Sequence, residues 1–301
     1  MEPTTLDGVW SQVRLWREAQ LEDELQCTQW CIRAGLLNSS RCWRHRQDRQ
    51  LILRADRNYI SWHCTGCKDR LTVTDGSIFK GSNLPLGQVL MLAQCYANQS
   101  TYDATRLACR FSASATPHND HTINRWFSTF RLRITDQVAN WQSRDGKIGG
   151  QSMIVQIDEA QIMRRKYNQG RWKPDTWVCG IIDEAGNLRM EVCEKRDKPT
   201  LHSILQRHVL PGSIVHSDGW ASYTGLKELG FQHSAVNHKV EFVAADGTHT
   251  QRIESNWRNM RRRLRPHEDL VEYMAEYMWL RDCAHSNKDP FAELMKLCEA
   301  E

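Results

Sequence analysis

The spacing of apolar positions changes along the chain, and each change marks an element. In residues 1–37, Val9, Val13, Leu15 and Trp16, then Leu21, Leu25, Trp30 and Leu36, recur at helical spacing, with Gly35 as a stop. Leu51-Ile52-Leu53 and Tyr59-Ile60-Ser61-Trp62 then alternate like the two strands of a hairpin, and Leu71 to Phe79 reads as a strand and turn. Helical spacing returns from Leu84-Pro85-Leu86 to about Asn98, from Tyr102 to Phe111 with Ser100 as N-cap, and from His121 to Val138. Beyond the polar stretch Gln142 to Gln151, with its Gly149-Gly150 pair, the pattern becomes strand-rich. Met153 to Ile157, Trp177 to Ile182 and Leu188 to Val192 predict three strands, with the turn Glu184-Ala185-Gly186-Asn187 between the last two. A helix from Pro199 to His208, a strand at 213–217, a helix at 220–229, a strand at 233–237 and a helix at 250–265 follow. In the last of these Ile253, Trp257, Met260 and Leu264 form one apolar face.

These segments divide the chain into a helical segment (1–37), a small hairpin module (38–82), a helical region (83–141), a linker (142–151) and an α/β domain (152–301). In the α/β domain three carboxylates take distinctive places. Asp158 ends the first strand, Asp218 ends the apolar run Ser213-Ile214-Val215-His216, and Glu254 sits on the last helix. Asp218 should emerge at the C-terminal edge of its strand, where open α/β sheets place their chemistry. Taken singly, Asp218 also fits a helix N-cap, and Glu254 fits an exposed partner for Arg258 four residues on. Together, three such carboxylates can hold two Mg²⁺ or Mn²⁺ ions, which align a water or 3′-hydroxyl and stabilise the leaving oxygen of a phosphodiester. Asp183, at a hairpin turn, and Glu159, on the opposite strand face from Asp158, are expected to stand outside that set.

The order of strands, helices and acids resembles the RNase H-like core of DDE transposases and retroviral integrases. Seven words narrow it: Ile157-Asp158-Glu159, Arg165 to Arg171, Trp177-Val178-Cys179-Gly180, Pro211-Gly212-Ser213-Ile214, Ser217-Asp218-Gly219-Trp220, Val236-Asn237-His238, and Gly247-Thr248-His249-Thr250 with Ile253-Glu254-Ser255. In this order they are similar to the transposases of the Merlin superfamily, eukaryotic relatives of a bacterial insertion-sequence group with the same domain. The chain departs where that family usually has Lys after the glutamate and this sequence has Arg261.

Composition adds a metal site. Eleven cysteines spread over 301 residues are an odd number and do not suggest a secreted disulfide framework. Cys42-Trp43-Arg44-His45 and Cys64-Thr65-Gly66-Cys67 are two knuckles flanking the hairpin, which is zinc-ribbon spacing, and a structural Zn²⁺ is expected on Cys42, His45, Cys64 and Cys67. The Merlin-like proteins resemble this region too, usually with Cys where His45 stands. Cys27 and Cys31, four apart on a helix, read as buried thiols.

The net charge of +4 is small, but arginine concentrates at 41–57 and 252–265. Arg258, Arg261 and Arg262 follow Glu254 on one helix, with Arg261 two turns away on the same face, and Lys166 lies in the loop between the first two strands of the domain. A solvated face is the plainer account of such a run. The helix pair at 102–138, bearing Asn124, Arg125, Arg131 and Arg133, resembles a helix-turn-helix. His238 and His249 flank the acids, fitting either a phosphate or water contact or a structural hydrogen bond.

No apolar run approaches the ~20 residues of a membrane span, and an intracellular protein is expected. The resemblance implies a cut-and-paste transposase acting on double-stranded DNA, both transposon ends and target, as a homodimer or higher multimer, and located in the nucleus if the host is eukaryotic. The alternative is a domesticated descendant that binds DNA without strand transfer.

Overall fold

The computed structural model describes residues 10–54, 59–110, 119–143, 146–162, 176–236, 249–263 and 269–299. Two compact units divide it, residues 1–134 with 286–301 and residues 135–285.

The first unit begins with helices α1 (Gln12–Ala19) and α2 (Glu24–Arg33). Ser11 caps the first and Asp23 the second, each accepting from backbone N–H groups that the opening turn leaves unpaired. A three-stranded antiparallel sheet follows, β1 (Gln50–Arg54), β2 (Tyr59–His63) and β3 (Arg70–Thr72), so a third short strand joins the expected hairpin. Helix α3 (Leu86–Ala97) is buried along its whole length, as a sequence nearly free of charge requires. Gly87 lets the turn between α1 and α2 approach it, since a β-carbon there would collide with the Leu21 carbonyl oxygen. Helix α4 (Tyr102–Ala108) is capped by Thr101 rather than by Ser100, and α5 runs from Asp120 to Ser143. The turn expected between α4 and α5 lies largely outside the described residues.

The second unit is a mixed sheet with flanking helices. Strands β4 (Ile154–Gln161), β5 (Trp177–Asp183) and β6 (Leu188–Cys193) pair antiparallel. After helix α6 (Lys198–His208), strands β7 (Ile214–Asp218) and β8 (Gln232–Val236) add in parallel on the other side of β4, in the order β6-β5-β4-β7-β8. One face buries Val155, Ile157, Cys179 and Ile181 with Leu201, Ile204 and Leu205 of α6. The other receives α7 (Gln251–Arg263), and α8 (Leu270–His285) packs on β6. Helix α9 (Pro290–Leu297) packs on α3 in the first unit. No described helix is long and apolar enough to cross a membrane.

The helix expected at 220–229 is two short 3-10 turns, Ala221–Tyr223 and Leu226–Leu229. Gly225, at φ 86°, interrupts them, and only Tyr223 and Leu226 are buried, too few to form a continuous helical face.

Helix α7 rests on the sheet through three side chains. The buried Gln156 Oε1 accepts from the N–H groups of Arg252 and Ile253, at 3.0 and 3.3 Å, satisfying two donors of the helix's first turn. Ile253 and Trp257 then lie over Gly180, where a β-carbon would fall 2.5 Å from the Trp257 ring and 2.8 Å from Ile253 Cδ1. We predict that Gly180→Ala lifts α7 and destabilises the protein by roughly 1–3 kcal/mol, measured by denaturant unfolding; unchanged stability would mean that the indole swings aside freely.

Candidate active site and metal centre

Asp218 ends β7, but Asp158, expected at the end of its strand, lies within the neighbouring parallel strand β4, which continues to Gln161 because Glu159, Ala160 and Gln161 stay paired with Cys179, Val178 and Trp177 of β5. The β4–β7 ladder pairs Ile154 with Ile214, Val155 with Val215 and Gln156 with His216, then stops two residues before both aspartates. By strand alternation Asp158 and Asp218 share the face of Gln156 and His216, which is the face that α7 covers. Glu254 is in the first turn of α7.

Each carboxylate has one oxygen oriented by a protein donor. The Trp257 indole N–H donates to Asp158 Oδ2 at 2.9 Å, the Trp220 backbone N–H to Asp218 Oδ1 at 3.1 Å, and the Thr250 hydroxyl to Glu254 Oε1 at 2.7 Å. Burial pushes the Asp158 carboxyl up to about 6; the Trp257 hydrogen bond opposes this, and the charges of Asp218 and Glu254 add to it. The structure therefore brings the three acids within electrostatic reach. Among the described residues they do not form a closed cluster of ligand atoms like the one in the ribbon.

The two expected outsiders are accounted for structurally. Asp183 accepts from the Asn187 backbone and side chain at 2.9 and 2.8 Å, closing the β5–β6 hairpin. Glu159 points to the opposite face, where Arg196 donates at 3.0 and 2.9 Å and the Tyr223 hydroxyl also donates. Burial pushes the Glu159 carboxyl up to about 7 against the pull of Arg196. Arg196 also lies 4.2 Å from the Trp177 ring centroid and 4.9 Å from that of Trp220, which steadies the turn after Asp218.

Of the basic residues, Arg258, Arg261 and Arg262 are exposed on α7, and Arg261 Nη2 donates to the Gln161 carbonyl at 3.3 Å. Arg125 is exposed on α5 and lines a pocket with Lys80, Asn83 and His121. Lys166 and His238 lie outside the described residues. His249 takes up a structural contact, 3.0 Å from the Gln156 amide nitrogen. Gln156, Gly180 and Trp257 were not singled out from the sequence as site residues. The available signal was the alternation that puts Gln156 and Asp158 on one strand face, and a buried glutamine needs partners.

The ribbon knuckles fold alike. Arg46 N–H donates to the Cys42 carbonyl at 2.8 Å and Lys68 N–H to that of Cys64 at 3.0 Å, and both residues are left-handed, at φ 48° and 61°. The ligand atoms of Cys42, His45, Cys64 and Cys67 all lie within 4.8 Å of one another. Cys42 Sγ is 3.6 Å from His45 Nδ1 and 3.7 Å from Cys67 Sγ, and Cys64 Sγ is 3.5 Å from His45 Nδ1. Zinc bonds of ~2.3 Å to sulfur and ~2.0 Å to nitrogen give tetrahedral edges of about 3.5–3.8 Å, so the set fits zinc with His45 ligating through Nδ1. The backbone N–H of His45 is the main influence drawing the Cys42 thiol down to about 6, which suits a thiolate ligand. Gly66 is required beside it, since a β-carbon would sit 2.9–3.0 Å from the imidazole. Cys27 and Cys31 are fully buried, as their helical spacing suggests.

A model of the ISXO2-like transposase domain matches residues 148–279, which include Asp158, Asp218 and Glu254. An uncharacterized transposase-like protein of Haemophilus influenzae is 32% identical over 85 residues, covering 27% of this chain and 68% of that protein. The chain belongs to the ISXO2-like transposase family. Alignment with the crystal structure of the Mos1 strand transfer complex covers 70% of this transposase and 93% of that chain at 12% identity, with a TM-score of 0.27, too low to establish structural equivalence.

The geometry of this transposase can be tested at both of its acid and thiol clusters. Elemental analysis should find about one zinc per chain, lost in Cys64→Ser and Cys67→Ser but kept in Cys27→Ser, because the bound metal contributes folding free energy to a small module; undiminished zinc in the first two variants would refute the ribbon site. The second test concerns Asp158, whose carboxyl is at about 6 in the fold against 3.8 ordinarily. The folded chain then binds this proton more tightly than the unfolded chain, so the group's contribution to stability falls as pH rises through that interval. In metal-free protein Asp158→Asn should therefore melt above the parent at neutral pH, with the gap closing below about pH 4; a lower melting temperature at pH 7 would contradict the assigned burial.

Proposed function

We propose that this transposase cuts and joins DNA at Asp158, Asp218 and Glu254, in an RNase H-like domain, and recognises transposon ends through its ribbon and the α4–α5 region. The observation that carries the reading is the electrostatic convergence of the three acids, on two neighbouring strands and one helix, inside the matched transposase segment. The donor set fits a hard divalent cation: all three ligands are carboxylates, one oxygen of each is oriented, and a buried carboxyl among like charges gains from a cation.

Asp158, Asp218 and Glu254 would hold two Mg²⁺ or Mn²⁺. Bound there, these ions would activate a water or 3′-hydroxyl as nucleophile and stabilise the leaving oxygen of the phosphodiester. The chain's own part is positional. Trp257 fixes one oxygen of Asp158, Thr250 one of Glu254, and the Gln156 cap sets where Glu254 begins its helix. Arg258, Arg261 and Arg262, one to two turns beyond Glu254, neutralise phosphates of the strand being cut, and Lys166 and Arg125 add contacts elsewhere on the duplex. A multimer on paired ends, and a nuclear location in a eukaryotic host, follow from the family resemblance. A purely DNA-binding descendant would tolerate loss of an acid, and all three remain.

The test separates recognition from chemistry. Purified protein with Mg²⁺ or Mn²⁺ and DNA carrying candidate ends should excise and join strands. Glu254→Gln, Asp158→Asn and Asp218→Asn should each bind ends while cleavage falls by several orders of magnitude, and Asp183→Asn should cut almost normally. Parental cleavage by Glu254→Gln would remove Glu254 from the site.

A further inference from the structure

The first knuckle exposes a side chain that neither the fold nor the metal cluster uses. Trp43, between Cys42 and His45, is 75% exposed, the most exposed of the large apolar side chains among the described residues. It is not on a loose tail. The Cys42 N–H donates to the Gln47 carbonyl at 2.9 Å, the Arg46 N–H returns to Cys42, and ligand positions stand on both sides of the indole. The Arg44 guanidinium lies 4.9 Å from the ring centroid, leaving an aromatic face and a cation presented together.

The charge around it indicates the partner's chemistry. Residues 41–70 hold eight basic and three acidic side chains, a net +5 against +4 for the whole chain. Three thiolates with one Zn²⁺ would lower the module by one charge, and it would still carry all of the chain's excess. Arg41, Arg44, Arg46, Lys68 and Arg70 are exposed, whereas Arg49 is buried against Asp69 at 2.6 Å. Tryptophan also anchors protein interfaces, but so cationic a module selects a polyanion, and the polyanion with flat apolar faces is nucleic acid.

We propose that Trp43 is a nucleobase-stacking anchor of the ribbon, with Arg41, Arg44 and Arg46 neutralising the phosphates beside the stacked base. This rests on the reading that the ribbon contacts DNA. The indole supplies binding that salt does not screen; the arginines supply the part that releases counterions. The stacked base is either unpaired or one face of a base step that the indole wedges open.

The experiment uses the full chain, a short mixed-sequence duplex and its separated strand, both carrying 2-aminopurine, titrated over a range of salt. Trp43→Ala should weaken binding roughly tenfold with the salt slope unchanged and should abolish quenching of the reporter base, while Trp43→Phe recovers most of both. The double variant Arg44→Ala/Arg46→Ala should instead flatten the slope by up to about one unit for each phosphate that is no longer neutralised. A defect on the strand alone assigns an unpaired base, and a defect on both probes assigns a wedge. Parental affinity and quenching in a Trp43→Ala protein that melts normally would overturn the anchor. If the double arginine variant also matches the parent in affinity and slope, the DNA-binding reading of the ribbon fails first.

Discussion

The second unit depends on how closely helix α7 can lie against the sheet. A helix carrying Arg252, Arg258, Arg261 and Arg262 has little apolar surface with which to dock, and its buried contacts are Ile253, Asn256, Trp257 and Met260. Gly180 removes the one side chain that would hold this narrow face away. Gln156 then satisfies the helix's opening N–H groups from the strand side, so burying that end leaves fewer amides without partners. Asn256 ties the outer side to α8, accepting from Arg281 at 2.8 Å and from the Tyr277 hydroxyl at 3.1 Å. Glu254 is thus set relative to Asp158 by packing and capping, with no need for the carboxylates to attract each other.

That matters because the carboxylates repel. Asp158 is partly buried near the charges of two other acids, and the neutral groups that favour its ionised form are the Trp257 indole and the Glu159 backbone. A site that holds like charges together without a cation stores unfavourable energy, which the α7 contacts must offset. The same indole both seats α7 on Gly180 and orients Asp158, so helix docking and carboxylate placement are one event.

Most of this was legible where a local signal fixes the element. The β-rich runs around Asp158 and Asp218, Pro near the start of α6 and the apolar face of α7 at Ile253, Trp257 and Met260 appear where their patterns put them, while Leu264, expected on the same face, lies outside the described residues. The helix expected at 220–229 failed because its apolar residues do not form a continuous stripe and Gly225 takes a left-handed turn that periodicity does not register. The seating of α7 was illegible for another reason: Gly180 and Gln156 act across 70 to 100 residues of sequence, and nothing in either neighbourhood names its partner. The docking of α9 on α3 is equally non-local. The ribbon lies at the other extreme. Knuckle spacing is local chemistry, and the four ligand atoms stand close together as that spacing suggests.

The knuckles also make a choice that metal holding does not explain. The residue four places after each first cysteine turns left-handed, where glycine is free of the strain that costs other residues about 1 kcal/mol or more. Arg46 and Lys68 occupy those two places. Both are exposed, and both are fixed by backbone hydrogen bonds to Cys42 and Cys64. Two cations held on the rims of a pinned module lose less freedom on meeting a phosphate backbone than cations on a mobile arm. That economy would serve the DNA contact proposed for the ribbon.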